Sequence, residues 1–178
     1  MKLKLFILVL VLQAAWLLTT VATQEYALVR GRAILLETRI IDPRDILRGD
    51  YLLLNYKISD VPDKLFSPPV PNGLAAGTKI FVALAPGTNG FYEVTRASAS
   101  EFVPEQSEIL MKGKIDNNWW RATNTVHVAY GIENYYVAED TGNPHGKLTV
   151  QVIVPASGHP KIKQVFLDGR PYADAMKP

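Results

Sequence analysis

The chain has 178 residues, no cysteine and a formal charge of +2. That length allows one ordinary domain with a core that needs no covalent staples, and the absence of thiols excludes disulfides and thiolate metal sites. Lys2 and Lys4 supply the excess charge, so acids and bases balance from residue 5 onward, which argues against a nucleic-acid binder because such a protein needs a basic face.

The N-terminal segment comes first. Leu5 to Gln24 carries no charge and is mostly apolar. At about 1.5 Å per residue, such a run spans a bilayer core of roughly 30 Å. The two preceding lysines leave the N-terminus in the cytoplasm by the positive-inside rule and carry the rest outside. An uncleaved signal anchor is the favoured reading. A cleaved signal peptide stays open, with Thr20-Val21-Ala22 as its small-residue cleavage site, although such peptides usually have a shorter apolar core. A buried core helix fits poorly, since nothing polar marks an outer face. The expected division is therefore a membrane anchor over residues 1–24 and an exported domain over residues 25–178.

After residue 25, breakers recur every ten to fifteen residues. The runs between them are rich in Val, Ile, Thr, Tyr and Phe, which is how an antiparallel all-β domain reads. The predicted strands are Tyr26–Arg39, Tyr51–Ile58, Lys79–Ala85, Phe91–Ala97, Ile109–Ile115, Trp120–Tyr130, Leu148–Val154 and Lys161–Leu167. Turn clusters separate them at Asp60–Asp63, Ser67–Gly73, Pro86–Gly90, Asp116–Asn118 and Ser157–Pro160. Short helices are expected only near Glu133–Glu139 and, for one turn, at Pro43–Leu47. The fold class that follows is mainly β: an N-terminal transmembrane helix, then an antiparallel barrel or sandwich. Within Tyr51–Ile58, alternation assigns Leu52, Leu54, Tyr56 and Ile58 to the core face.

Two segments concentrate polar chemistry. In the first, Asp42-Pro43 suits turn initiation, and Gly49 suits a tight backbone just before a strand. Arg44, Asp45, Arg48 and Asp50 place two cations and two anions within seven residues. The structural reading is a local ion-pair knot that sets the angle of the following strand. The functional reading is a polar site in which Arg44 or Arg48 grips a carboxylate, phosphate or sugar acid. The second segment runs from Tyr130 to Gly142 and holds Glu133, Tyr135, Tyr136 and Glu139. Tyrosines beside carboxylates suit carbohydrate or peptide grooves, and equally suit half-buried sheet positions with satisfied hydroxyls. Glu133 and Glu139 are the one candidate carboxylate pair for glycoside chemistry.

Other signals are weak. His127, His145 and His159 lack ligand spacing, and no metal or cofactor is expected. Trp119-Trp120-Arg121 suits core packing, ligand stacking or a lipid interface. An anchor followed by Arg-Gly-Asp-Tyr at a strand start is superficially similar to type I signal peptidases. Lys112 or Lys114 could supply that chemistry's base, but the first serine is Ser59, too late to be its nucleophile.

Gly49, Asp50, Tyr51, Leu54, Tyr56 and the preceding Arg48, led by Asp42-Pro43-Arg44-Asp45, resemble the GDYxxLxY family of bacterial membrane-anchored proteins. Gly31, Gly131-Ile132-Glu133-Asn134-Tyr135-Tyr136 and Asp168-Gly169 extend the resemblance along most of the chain. Two departures stand out: Ile40-Ile41 where a Pro-Val pair is expected, and no acid around His145-Gly146-Lys147. The resemblance implies a single-pass protein of the bacterial cytoplasmic membrane, with its domain in the periplasm and a multi-spanning membrane protein as partner. It carries no established activity. The functional expectation is an accessory or interaction module that docks on a membrane protein or envelope component. Its contacts would be Arg44, Arg48, Asp50, Tyr51, Glu133, Tyr135, Tyr136 and Glu139; Asp42, Pro43, Gly49, Leu54 and Tyr56 would support the fold. The alternative is a hydrolase of envelope polymers that uses the loop carboxylates.

Overall fold

The apolar N-terminal run is a helix, α1, over Lys2–Arg30. No breaker follows the apolar run until Gly31, so propagation at one hydrogen bond per residue carries the helix six residues beyond Gln24. This corrects the expectation of a strand from Tyr26: the β-prone Tyr26, Leu28 and Val29 extend the helix instead. The helix is long and apolar enough to cross a membrane. It meets the domain with only Gly31 between its last residue and the first strand. Lys161 Nζ donates to Gln24 Oε1 at 3.0 Å, which ties the C-terminal end of the apolar run to the body of the domain.

The computed structural model describes residues 2–40, 51–69, 75–116, 124–137 and 146–176. Among these, the strands are β1 (Arg32–Ile40), β2 (Tyr51–Tyr56), β3 (Asp60–Pro62), β4 (Lys79–Pro86), β5 (Tyr92–Ser98), β6 (Ile109–Ile115), β7 (Thr125–Ala129), β8 (Asn134–Tyr136), β9 (Leu148–Val154), β10 (Lys161–Leu167) and β11 (Arg170–Pro171), before a short helix α2 (Tyr172–Ala175). They form two antiparallel sheets. One has the order β11-β10-β9-β1-β2-β8 and the other β3-β7-β6-β4-β5. The second sheet curls toward closure as a half-barrel, because Phe66 bridges Ala97 of β5 just beyond the end of β3.

Alternation places the core. Leu52, Leu54, Tyr56 and Ile58 are all buried, as the pattern predicts. They pack with Ile34 and Leu36 of β1 and with the valines of β9, whose buried positions 148, 150, 152 and 154 follow period two. Ile80, Val82, Leu84, Met111, Val126 and Val128 face them from the second sheet.

Two strands arise where a turn or a helix is expected, and a third, β11, where no element is. Pro62 ends β3, which lies at a sheet edge, where a missing N–H does no harm. Asn134–Tyr136 is strand, not helix, because β2 offers it a free edge: Leu52 pairs with Tyr135 and Leu53 with Asn134. Asp168 and Gly169, at φ 49° and 81°, make the tight hairpin turn from β10 to β11. The Asp168 carboxylate accepts the Lys147 N–H at 2.8 Å and also crowds Gly146, where no β-carbon would fit. The helical turn expected at Pro43–Leu47 lies outside the described residues.

Candidate functional site

Strand pairing decides which of the polar segments meet. β1 and β2 are paired up to Ile40 opposite Leu54, and the charged segment 41–50 connects them. On its other edge β2 pairs with β8, with Tyr51 opposite Tyr136. Tyr51, the residue that follows the charged segment in the chain, is therefore a neighbour of the aromatic segment at one end of the six-stranded sheet. β1 begins at the helix junction, so this end lies some eight residues, about 26 Å, along the strand from Arg32. Tyr136 is 77 % exposed there. Asp42, Pro43, Arg44, Arg48, Gly49, Asp50 and Glu139 lie outside the described residues, as do Trp119, Trp120 and Arg121.

The described residues of the two segments are mostly engaged in holding the fold. Leu54 and Tyr56 sit in the core. The Tyr56 hydroxyl donates to Ile132 O at 2.8 Å, and the Leu54 N–H donates to Glu133 O at 2.6 Å. The Tyr130 hydroxyl in turn donates to Ile58 O at 2.8 Å. The Glu133 carboxylate accepts the Tyr130 N–H at 2.5 Å and the Gly131 N–H at 2.9 Å. Gly131, at φ 81°, lets the chain turn around that carboxylate. Burial first, and then the Glu133 charge, push both phenols far above the ordinary tyrosine range, so Tyr56 and Tyr130 stay protonated donors. Tyr135 packs edge-on against Tyr172 of α2, with ring centroids 6.1 Å apart. Among the described residues of the aromatic segment, the Asn134 and Tyr136 side chains face solvent.

A charged network escaped sequence reasoning. Glu37 of β1 binds Lys147 Nζ at 2.7 Å and Lys57 Nζ at 2.5 Å. Beside it, Arg39 pairs with Asp60 at 2.9 Å, and the second Asp60 oxygen lies 2.8 Å from His127 Nδ1. The ion pairs border a cavity of about 300 Å³ next to Phe91 and Tyr92. The one sequence signal was Glu37 alternating outward between buried Leu36 and Thr38; its partners lie in separate strands and turns. Among the described residues, no three His, Asp or Glu side chains are grouped so as to hold a metal.

This network makes the fold acid-sensitive. Hydrogen bonds from Lys147, and then from Lys57, hold the Glu37 carboxyl below its usual range. A carboxylate whose folded pKa is depressed stabilises the fold above its unfolded pKa, and that stabilisation fades as pH falls through the folded value. Stability should therefore decline below the ordinary glutamate pKa of about 4.3. Glu37→Gln should flatten that part of a Tm-against-pH curve; superimposable wild-type and variant curves would refute the assignment.

The GDYXXLXY protein family model matches residues 13–165. The chain belongs to that family. The matched span takes in the C-terminal part of α1, β1 to β9 and most of β10. No curated protein and no solved structure matches the chain.

Proposed function

We propose that this member of the GDYXXLXY family is a membrane-anchored accessory module. It would be held by α1 in a bacterial cytoplasmic membrane, with its β domain on the outer, periplasmic side, since Lys2 and Lys4 precede the apolar run. Its role is to dock on a membrane protein or an envelope component. The observation that carries this reading is the pairing of Tyr51 with Tyr136, which joins the charged segment 41–50 to an exposed aromatic at one end of the domain. Tyrosine and arginine are enriched at contact surfaces between proteins, and segment 41–50 carries two arginines, Arg44 and Arg48.

The helix junction supports the same reading. With one residue between α1 and β1, and Lys161 bonded to Gln24, the domain is carried at the membrane surface rather than on a long tether. The contact end then stays within about 26 Å of the junction, the length of β1. A hydrolase would need a carboxylate free to move a proton. Glu133 instead directs both oxygens to backbone N–H groups.

The test is affinity purification of full-length protein from its native membrane in mild detergent, beside an Arg44→Ala/Arg48→Ala variant and a Tyr136→Ala variant of equal Tm. A multi-spanning protein should co-purify with wild type and be lost from both variants. If nothing co-purifies, or the variants retain the same partner, the docking surface is wrongly assigned.

A further inference from the structure

β6 changes neighbours part-way along its length. Its last two residues pair with β7, Lys114 with Ala129 and Ile115 with Val128. Earlier in the strand, the Lys112 N–H donates instead to Gly158 O, in the turn between β9 and β10, at 2.8 Å. Gly113 lies between these two partners, so tightly that a β-carbon would overlap Val128 and sit 2.8 Å from Ala129 O. A cleft of about 560 Å³ opens at this seam.

The charges around the cleft do not balance locally. Lys112 binds Glu101 at 2.9 Å and lies over the Phe81 ring. Glu133 is taken up by the Tyr130 and Gly131 N–H groups. Lys79 and Lys114 stand directly opposite each other on β4 and β6, and neither forms an ion pair among the described residues. Like charges facing each other across an antiparallel pair destabilise it. Phe81, Ala129 and Tyr130 add apolar wall. His159 borders the cleft from the β9–β10 turn, two residues before Lys161, whose ammonium bonds Gln24 at the C-terminal end of the apolar run. On the anchoring proposed above, the His159 side of the cleft is linked through Lys161 to the helix that enters the membrane.

We propose that this cleft binds a phosphate-bearing ligand, its anion held between the Lys79 and Lys114 ammoniums and its carbon skeleton against Phe81 and Tyr130. Lysine binds phosphate as a point charge, and an anion between two facing ammoniums converts their repulsion into attraction. The phosphate is either that of an anionic lipid headgroup or that of a soluble phosphate ester.

Calorimetric titration of the full-length protein in an uncharged detergent separates these sources. The probes are dihexanoyl phosphatidylglycerol and glycerol phosphate. Wild type should bind at least one of them, and Lys79→Gln/Lys114→Gln should weaken that binding about tenfold or more. The same variant without ligand should keep or raise the wild-type Tm, since it removes a repulsion. A charge-matched control, Lys64→Gln/Lys163→Gln, removes two exposed lysines elsewhere and should bind like wild type. Binding of the lipid alone assigns the headgroup as ligand, and binding of the ester assigns a soluble phosphate compound. The site does not exist if neither probe binds wild type at millimolar concentration, if the Lys79/Lys114 variant binds as wild type does, or if the control loses affinity equally.

Discussion

Tyr56→Ala should lower the unfolding free energy by about 3–5 kcal/mol, the range for truncating a large buried aromatic. Tyr56 is fully buried, and its ring fills the space between β2 and the second sheet. Its hydroxyl also donates to Ile132 O, which anchors the turn that precedes β8. Tyr56→Phe keeps the ring and removes only the donor, leaving a buried carbonyl unpaired, at a cost of about 1–3 kcal/mol. Urea unfolding of the detergent-solubilised protein, followed by near-ultraviolet circular dichroism, measures both variants. The graded pair of losses is the signature of a core residue with one satisfied hydroxyl. Unchanged stability in Tyr56→Ala would mean that the last position of the family motif is a surface residue.

Glu133→Ala should lower stability by roughly 1.5–3 kcal/mol, the value of hydrogen bonds made to a charged group. Its carboxylate closes the tight turn at Gly131 by accepting two consecutive backbone N–H groups. Without it those donors lose their partners just where the chain crosses from β7 to β8, and the β2–β8 pairing beside the turn should loosen. Hydrogen exchange of the Leu54 amide, which donates to Glu133 O, reports that loosening directly. Glu133→Gln retains an acceptor oxygen and should lose about half as much. A Glu133→Ala protein with wild-type stability and wild-type protection at Leu54 would show that the carboxylate serves something other than the fold.

The motif that carries the family resemblance splits into two halves with different legibility. Leu54 and Tyr56 lie on the buried side of a strand whose alternation can be read residue by residue, so their core role follows from the sequence. That the Tyr56 hydroxyl reaches Ile132, and that Tyr51 lies opposite Tyr136, cannot be read in this way. Both depend on β8 choosing the edge of β2, a pairing between segments far apart in the chain. The expectation of helix at Glu133–Glu139 failed for the same reason: three residues have no periodicity to read, and the free edge of β2 decided their conformation. Glu37 is a harder case. A single outward acid in a strand is ordinary, and only the fold brings Lys57 and Lys147 to it.

By itself, the sequence determined what is local. Twenty uncharged residues behind two lysines specify a helix able to span a membrane. Alternation specifies β2, β6 and β9 with their buried faces, because side chains in a strand point to opposite sides with period two whatever lies beyond. The tight Asp168-Gly169 turn is local as well, since it needs only two residues that tolerate positive φ. The tertiary structure alone decided everything that depends on which strands become neighbours: the order of the two sheets, the pairing of Tyr51 with Tyr136, the ion pairs of Glu37, and the facing lysines at the seam of β6. Pairing order is a global choice among many near-equivalent edges, settled by how the whole apolar surface can be buried at once, and no stretch of sequence read alone contains it.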